Sequence, residues 1–173
     1  MTFFNAELLR DTLVAFLRRA RAFAGVQYDA DPAPAAQQHG VLILPRARKE
    51  NVDSRAIPEL GELVDLAKGV QGVEVFYVDE SEDIRLQIRA IARSRVIFVA
   101  AGSASYFNLL FASNATIYLL GPDRFNGNMA DWPSIRMLWD IAGPSNKVVI
   151  RDTRVPEHEL RDLFFSSLAD RPM

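Results

Sequence analysis

Two short stretches of this sequence combine residue types suited to holding an anion. The first contains Arg46, Arg48, Lys49 and Arg55, directly after the apolar run Gly40–Pro45. A guanidinium presents a planar fork of donors that matches phosphate oxygens in pairs. The second is Ala101-Gly102-Ser103-Ala104, with Asn108 a few residues on. Small side chains there let a phosphate approach the backbone, and a helix beginning at that point adds free N–H groups and the positive end of its dipole. A third stretch, G-P-D-R-F-N-G-N-M-A from Gly121, offers Arg124, Phe125 and Asn126 as groups able to close over a bound molecule. Each has a plainer reading beside it. The arginines equally suit a charged surface loop, Asn108 an internal tether, and Asn126-Gly127 a simple turn.

These groups act together only if the elements around them bring them to one place. Val96–Ala100, the small-residue turn, a helix to about Ser113 and Thr116–Leu120 read as a βαβ unit, whose crossover makes its strands parallel. Gly40–Pro45 is a continuous apolar run, the mark of a parallel strand buried on both faces. Pro58 opens a helix with Leu60, Leu63, Val64 and Ala67 on its apolar side, ending at Gly69 or Gly72. Val73–Val78 reads as a strand. Asp79 and Glu82 resemble a capping box for a helix to Arg93 bearing Ile84, Leu86, Ile88 and Ile91. Pro133 and Pro156 open further helices on either side of a strand over Lys147–Ile150. Ahead of this pattern, Asn5–Ala24 reads as an amphipathic edge helix, with Arg10, Arg18, Arg19 and Arg21 on a solvated basic face. The expected organisation is an N-terminal helix over 1–26, a Pro/Ala/Gln linker over 27–39 and one domain over 40–173. The expected fold is α/β: a three-layer Rossmann-like sandwich of about five mostly parallel strands with helices on both faces. Ligands of such sheets bind beyond the carboxyl ends of the strands, where all three stretches fall.

Composition excludes several classes. The 173 residues include no cysteine, which removes disulfides and thiolate metal sites. No convincing carboxylate cluster suggests a metal. A net charge of −2 gives no general field for nucleic acid. No apolar run approaches the roughly 20 residues of a membrane helix, and residues 1–20 lack the continuous core of a signal peptide. The expectation is a cytoplasmic protein without membrane insertion. The first strand is not followed by G-x-G-x-x-G, which argues against a nicotinamide dinucleotide. Arg46 stands where a phosphoacceptor receiver would carry acidic residues.

The run from Gly40 to Pro122 resembles the C-terminal half of the family 61 glycosyltransferases, the bacterial capsular-polysaccharide type. Arg46, Arg55, Ile57, Glu62 and Leu63 fall on that family's S-R-x-x-x-x-R-R-I-x-N-E-x-E-L block, and Gln87 on its middle helix. Gly102-Ser103-Ala104 fall on H-G-A, Asn108-Leu109-Leu110-Phe111 on N-L-L-F, and Thr116–Leu120 on the final strand. The resemblance implies one lobe of a GT-B-like fold that binds a nucleotide sugar without metal and transfers the sugar in polysaccharide synthesis. In that reading Arg46 and Arg55, with Arg48 nearby, pair with the diphosphate, and N–H groups around Gly102–Ala104 support it. The sequence departs from the pattern at Gly102, which replaces a His, at Leu119, which replaces a Glu, and in the longer Arg46-to-Arg55 spacing. The N-terminal acceptor half is absent, no catalytic base can be named, and a missing lobe or partner chain would complete the site. A half-enzyme of this kind leaves homodimer formation open. The alternatives are a non-catalytic nucleotide-binding module and an interaction domain that has kept only the fold.

Overall fold

The computed structural model describes residues 6–25, 39–45, 57–77, 83–100, 110–121, 146–151 and 155–169. These form a five-stranded sheet of β1 (His39–Leu44), β2 (Val73–Val75), β3 (Ser94–Ala100), β4 (Thr116–Leu120) and β5 (Lys147–Arg151). The order is β2-β1-β3-β4-β5, and every neighbouring pair is parallel. Four described helices flank it: α1 (Ala6–Phe23), α2 (Pro58–Ala67), α3 (Ile84–Arg93) and α4 (Glu157–Ala169).

Strand alternation builds the three layers. Leu42, Leu44, Ile97, Val99, Ile117 and Leu119 join one core with Leu17 of α1 and Ile88 and Ile91 of α3. Val41, Ile43, Phe98, Ala100 and Leu120 point the other way, into a core with Leu60 and Leu63 of α2 and Leu160 and Phe164 of α4. A strand covered on both faces has no solvent side, so its sequence is apolar throughout. Across that second core, Phe98 stacks on Tyr118 at 4.9 Å and meets Phe164 at 6.5 Å. The α/β sandwich with helices on both faces is therefore the fold.

Local chemistry sets the element ends, with some shifts from the sequence reading. Pro58 starts α2 at its favoured first position, and Gly69, at φ +77°, stops it. The cap of α3 is Asp83 rather than the Asp79–Glu82 pair: its Oδ1 accepts from the N–H of Arg85 at 2.9 Å, and helix begins at Ile84. β3 starts two residues early because Ser94, though buried, donates its hydroxyl to the Ala90 carbonyl at 2.7 Å. His39 opens β1 opposite Ser94 instead of ending a linker. The basic face of α1 is only partly solvated. Arg10, Arg18 and Arg19 are exposed, but Arg21 is 4% exposed and donates to the carbonyls of Phe111 (2.7 Å) and Ala112 (3.1 Å).

Candidate functional site

The strand order defines where a ligand can sit. From β1 the chain runs through α2 to β2 on one side; from β3 it proceeds to β4 and β5 on the other. β1 and β3 are neighbours, in register at Leu42↔Ile97, Ile43↔Phe98 and Leu44↔Val99. The chain therefore leaves two adjacent carboxyl ends in opposite directions. That is the switch point at which open α/β sheets form a ligand crevice.

The sequence that leaves those ends is the sequence with the candidate groups. Arg46 follows Pro45 at the end of β1, and Ala101 follows Ala100 at the end of β3. The stretch with Arg124 and Asn126 follows Gly121, where β4 ends beside β3. Arg46, Arg48, Arg55, Gly102, Ser103, Ala104, Asn108, Arg124 and Asn126 themselves lie outside the described residues. The described frame brings their three points of departure together along one edge, with β1 and β4 about 10 Å apart at two strand spacings.

Four described side chains at this edge set its electrostatics. Glu59, in the first turn of α2, is 7% exposed and is the buried carboxylate among the described residues. An acidic residue in a first helical turn is ordinarily read only as a partner of the helix dipole. The position of Glu59 four residues before Leu63 puts it on the inward side of α2, a signal that was available. Arg151, at the end of β5 opposite Leu120, was also missed because it falls one residue past the apolar run. Its backbone carbonyl accepts from Gly121 N–H at 3.1 Å, its guanidinium lies 3.9 Å from Glu159, and its Nε is buried without a hydrogen bond. Asp83 and Arg85, at the start of α3, are hydrogen-bonded to each other. That bond holds the Asp83 carboxyl down at about 2. The pair is thus internally neutralised. Among the described residues no group of three His, Cys, Asp or Glu could hold a metal, and no helix is long and apolar enough to cross a membrane.

The order 2-1-3-4-5 is that of flavodoxin-like sheets. No family model matches the chain, and no curated protein matches it. Among solved structures it is similar to the flavodoxin-like domain of a Synechococcus sp. protein, at 15% identity and a TM-score of 0.41, over 73% of this chain and 92% of that one. These findings overturn the resemblance to family 61 glycosyltransferases, and with it the expected donor-binding half of a sugar transferase. The physical reason lies in which residues carried the likeness. Ile57, Leu63, Leu110, Phe111 and Leu120 are core side chains, and Gln87 is buried too. A doubly wound sheet needs apolar residues at such positions whatever it binds. Leu119, where the family has Glu, is fully buried in the α1/α3 core.

Proposed function

We propose that this domain binds a small phosphate-bearing molecule at the carboxyl edge over β1, β3 and β4. The observation that carries the reading is the adjacency of the β1 and β3 ends, from which the arginine stretch and the glycine-serine stretch depart. Arg46, Arg48 and Arg55 supply charge for the phosphate. Backbone N–H groups at Gly102, Ser103 and Ala104 are the candidate donors, with Asn108 beside them in sequence. Arg124 and Asn126, in the stretch that follows β4 in sequence, are further candidate ligands. Glu59 lies buried in the first turn of α2, on the β1 side of this edge, and the anionic end of the ligand is assigned to the β3 and β4 side. Arg151 extends the positive edge in the same direction. No step of catalysis follows from this arrangement, and the reading is that of a binding module.

Calorimetry tests it, with nucleoside mono- and diphosphates, flavin mononucleotide and inorganic phosphate as titrants. Binding of one of them is expected, weaker with added salt and at least about tenfold weaker in Arg46→Ala and Arg55→Ala. A folded protein that binds none of them, or binds one equally well in both variants, refutes the assignment.

A further inference from the structure

The outward face of α1 has a pattern that the core does not require. Leu17, Arg21 and Ala24 face the sheet. On the opposite side Leu8, Thr12, Ala15, Arg19 and Ala22 follow one another at alternating steps of four and three, which makes a straight seam along a helix. Phe16 and Phe23 flank this seam on one side, and Asp11 and Arg18 flank it on the other. Leu8 is 65% exposed, Phe16 49% and Phe23 65%. α3 packs alongside: the Arg85 guanidinium stands 5.6 Å from the Phe23 ring centre, and Arg89 donates to the Ala24 carbonyl at 2.9 Å. Ile84 and Leu86, on either side of Arg85 in the chain, are exposed as well.

We infer that this face is a dimer interface, and that its partner is a second copy of the same chain, with the two α1 helices antiparallel about a two-fold axis near Ala15 and Phe16. The flanks select that orientation. In an antiparallel pair each flank meets the same flank of the other helix. Asp11 then faces Arg18 of the second copy, with Arg19 close by, and the reciprocal contact forms at the other end. The phenylalanine flank meets its own symmetry mate, and Leu8 lies near Phe23 of the second copy. A parallel pair would set the charged flank against the phenylalanines. Small Ala15 at the axis permits close approach of the helices. An 18-residue helix is about 27 Å long, and α1 with α3 is about 20 Å wide. The pair then buries about 1,000 Å² in total, at the low end for specific association, so the dimer is expected at micromolar concentrations. The mixed signs beside the seam argue against a lipid surface, where a uniformly basic flank is favoured.

Sedimentation equilibrium from 1 to 200 μM tests the inference. The expected result is a species of twice 19.4 kDa, with association weakened at least about tenfold in Leu8→Glu and Phe16→Glu. Both positions are exposed, and circular dichroism checks that each variant is folded. Asp11→Arg alone weakens the dimer, and Asp11→Arg with Arg18→Asp restores it. Because the chain has no cysteine, Ala15→Cys gives a single thiol, and a short bis-maleimide, to whose two ends the two thiols add, joins it into a covalent dimer; Asp162→Cys on α4 does not cross-link. A monomer at 200 μM overturns the inference. So does a dimer unaffected by Phe16→Glu, or one joined through position 162 but not 15. Capture on phosphatidylserine vesicles that Phe16→Glu abolishes, without a dimer in solution, also overturns it and assigns the face to lipid.

Discussion

Replacing Arg21 by alanine should loosen the N-terminal helix from the sheet. The side chain is buried, and its Nη2 donates to two backbone carbonyls some ninety residues away, Phe111 at 2.7 Å and Ala112 at 3.1 Å. A hydrogen bond to a charged group contributes about 1.5–3 kcal/mol. The bond to Phe111 is lost in full. The second costs less, because Ala112 also accepts from Asn146 Nδ2 at 3.1 Å. The buried methylenes of the arginine add about 2 kcal/mol at roughly 0.8 kcal/mol each. Relief from holding a desolvated cation offsets part of the total. The expected loss is about 3 kcal/mol, read as a lower urea midpoint with an unchanged slope. In a protein of this size that lowers Tm by about 6–12 °C. Arg21→Met isolates the polar part, because it keeps an apolar stem of similar length. The buried carbonyls still lose their charged donor, so a loss of about 1.5 kcal/mol is expected. An Arg21→Met protein as stable as the parent, within about 0.5 kcal/mol, would falsify the view that the guanidinium fastens α1.

Two further predictions concern the ends of elements. Asn146 accepts from Ala115 N–H at 2.9 Å and donates to Ala112, joining the turn before β4 to the start of β5. Asn146→Ala should cost about 2 kcal/mol in urea unfolding, and a cost below about 0.5 kcal/mol would count against that bridge. Asp83 should titrate at about 2 by carboxyl carbon NMR, and Arg85→Ala should return it toward about 4. Because the folded value is depressed, the pair's contribution to stability is complete above the unfolded value of 3.8 and is lost as pH falls toward about 2. Titration of Asp83 near 4 in the unmodified protein would refute the pairing.

Much of the frame was legible because buried parallel strands leave a continuous signature. Thr116–Leu120 coincides with β4, and Gly40–Pro45 and Val96–Ala100 fall within a residue or two of β1 and β3. The helix starts at Pro58 and after Pro156 were also legible, since proline tolerates the first turn and little else of a helix. What escaped were polar residues whose burial depends on distant partners. Ser94 joins β3 because the Ala90 carbonyl accepts a hydrogen bond from its hydroxyl, and Arg21 is buried because carbonyls some ninety residues away in sequence receive it. Its charge reads Arg21 as solvated, although it stands four residues after Leu17 on the inward side of α1. Glu59 escaped for a related reason: a carboxylate in a first helical turn has a sufficient explanation at the surface, and only the i, i+4 relation to Leu63 points inward.

The misleading family likeness has the same root. Residues that recur among doubly wound sheets because they fill the core say nothing about the ligand. Leu63, Phe111 and Leu120 would stand in such places for almost any bound molecule. Discrimination belongs to positions that filling the core does not dictate, and in the proposed site those are taken from the stretches beyond Pro45, Ala100 and Gly121. Strand order makes their proximity physically meaningful: with β1 next to β3, residues far apart in sequence begin one strand spacing apart. An anion held there would feel Arg46 and Ser103 together, whereas the order 1-2-3 would separate them by a whole strand. Coupling between Arg46→Ala and Ser103→Ala in ligand affinity follows from that adjacency, while additive effects would place the two residues in separate sites.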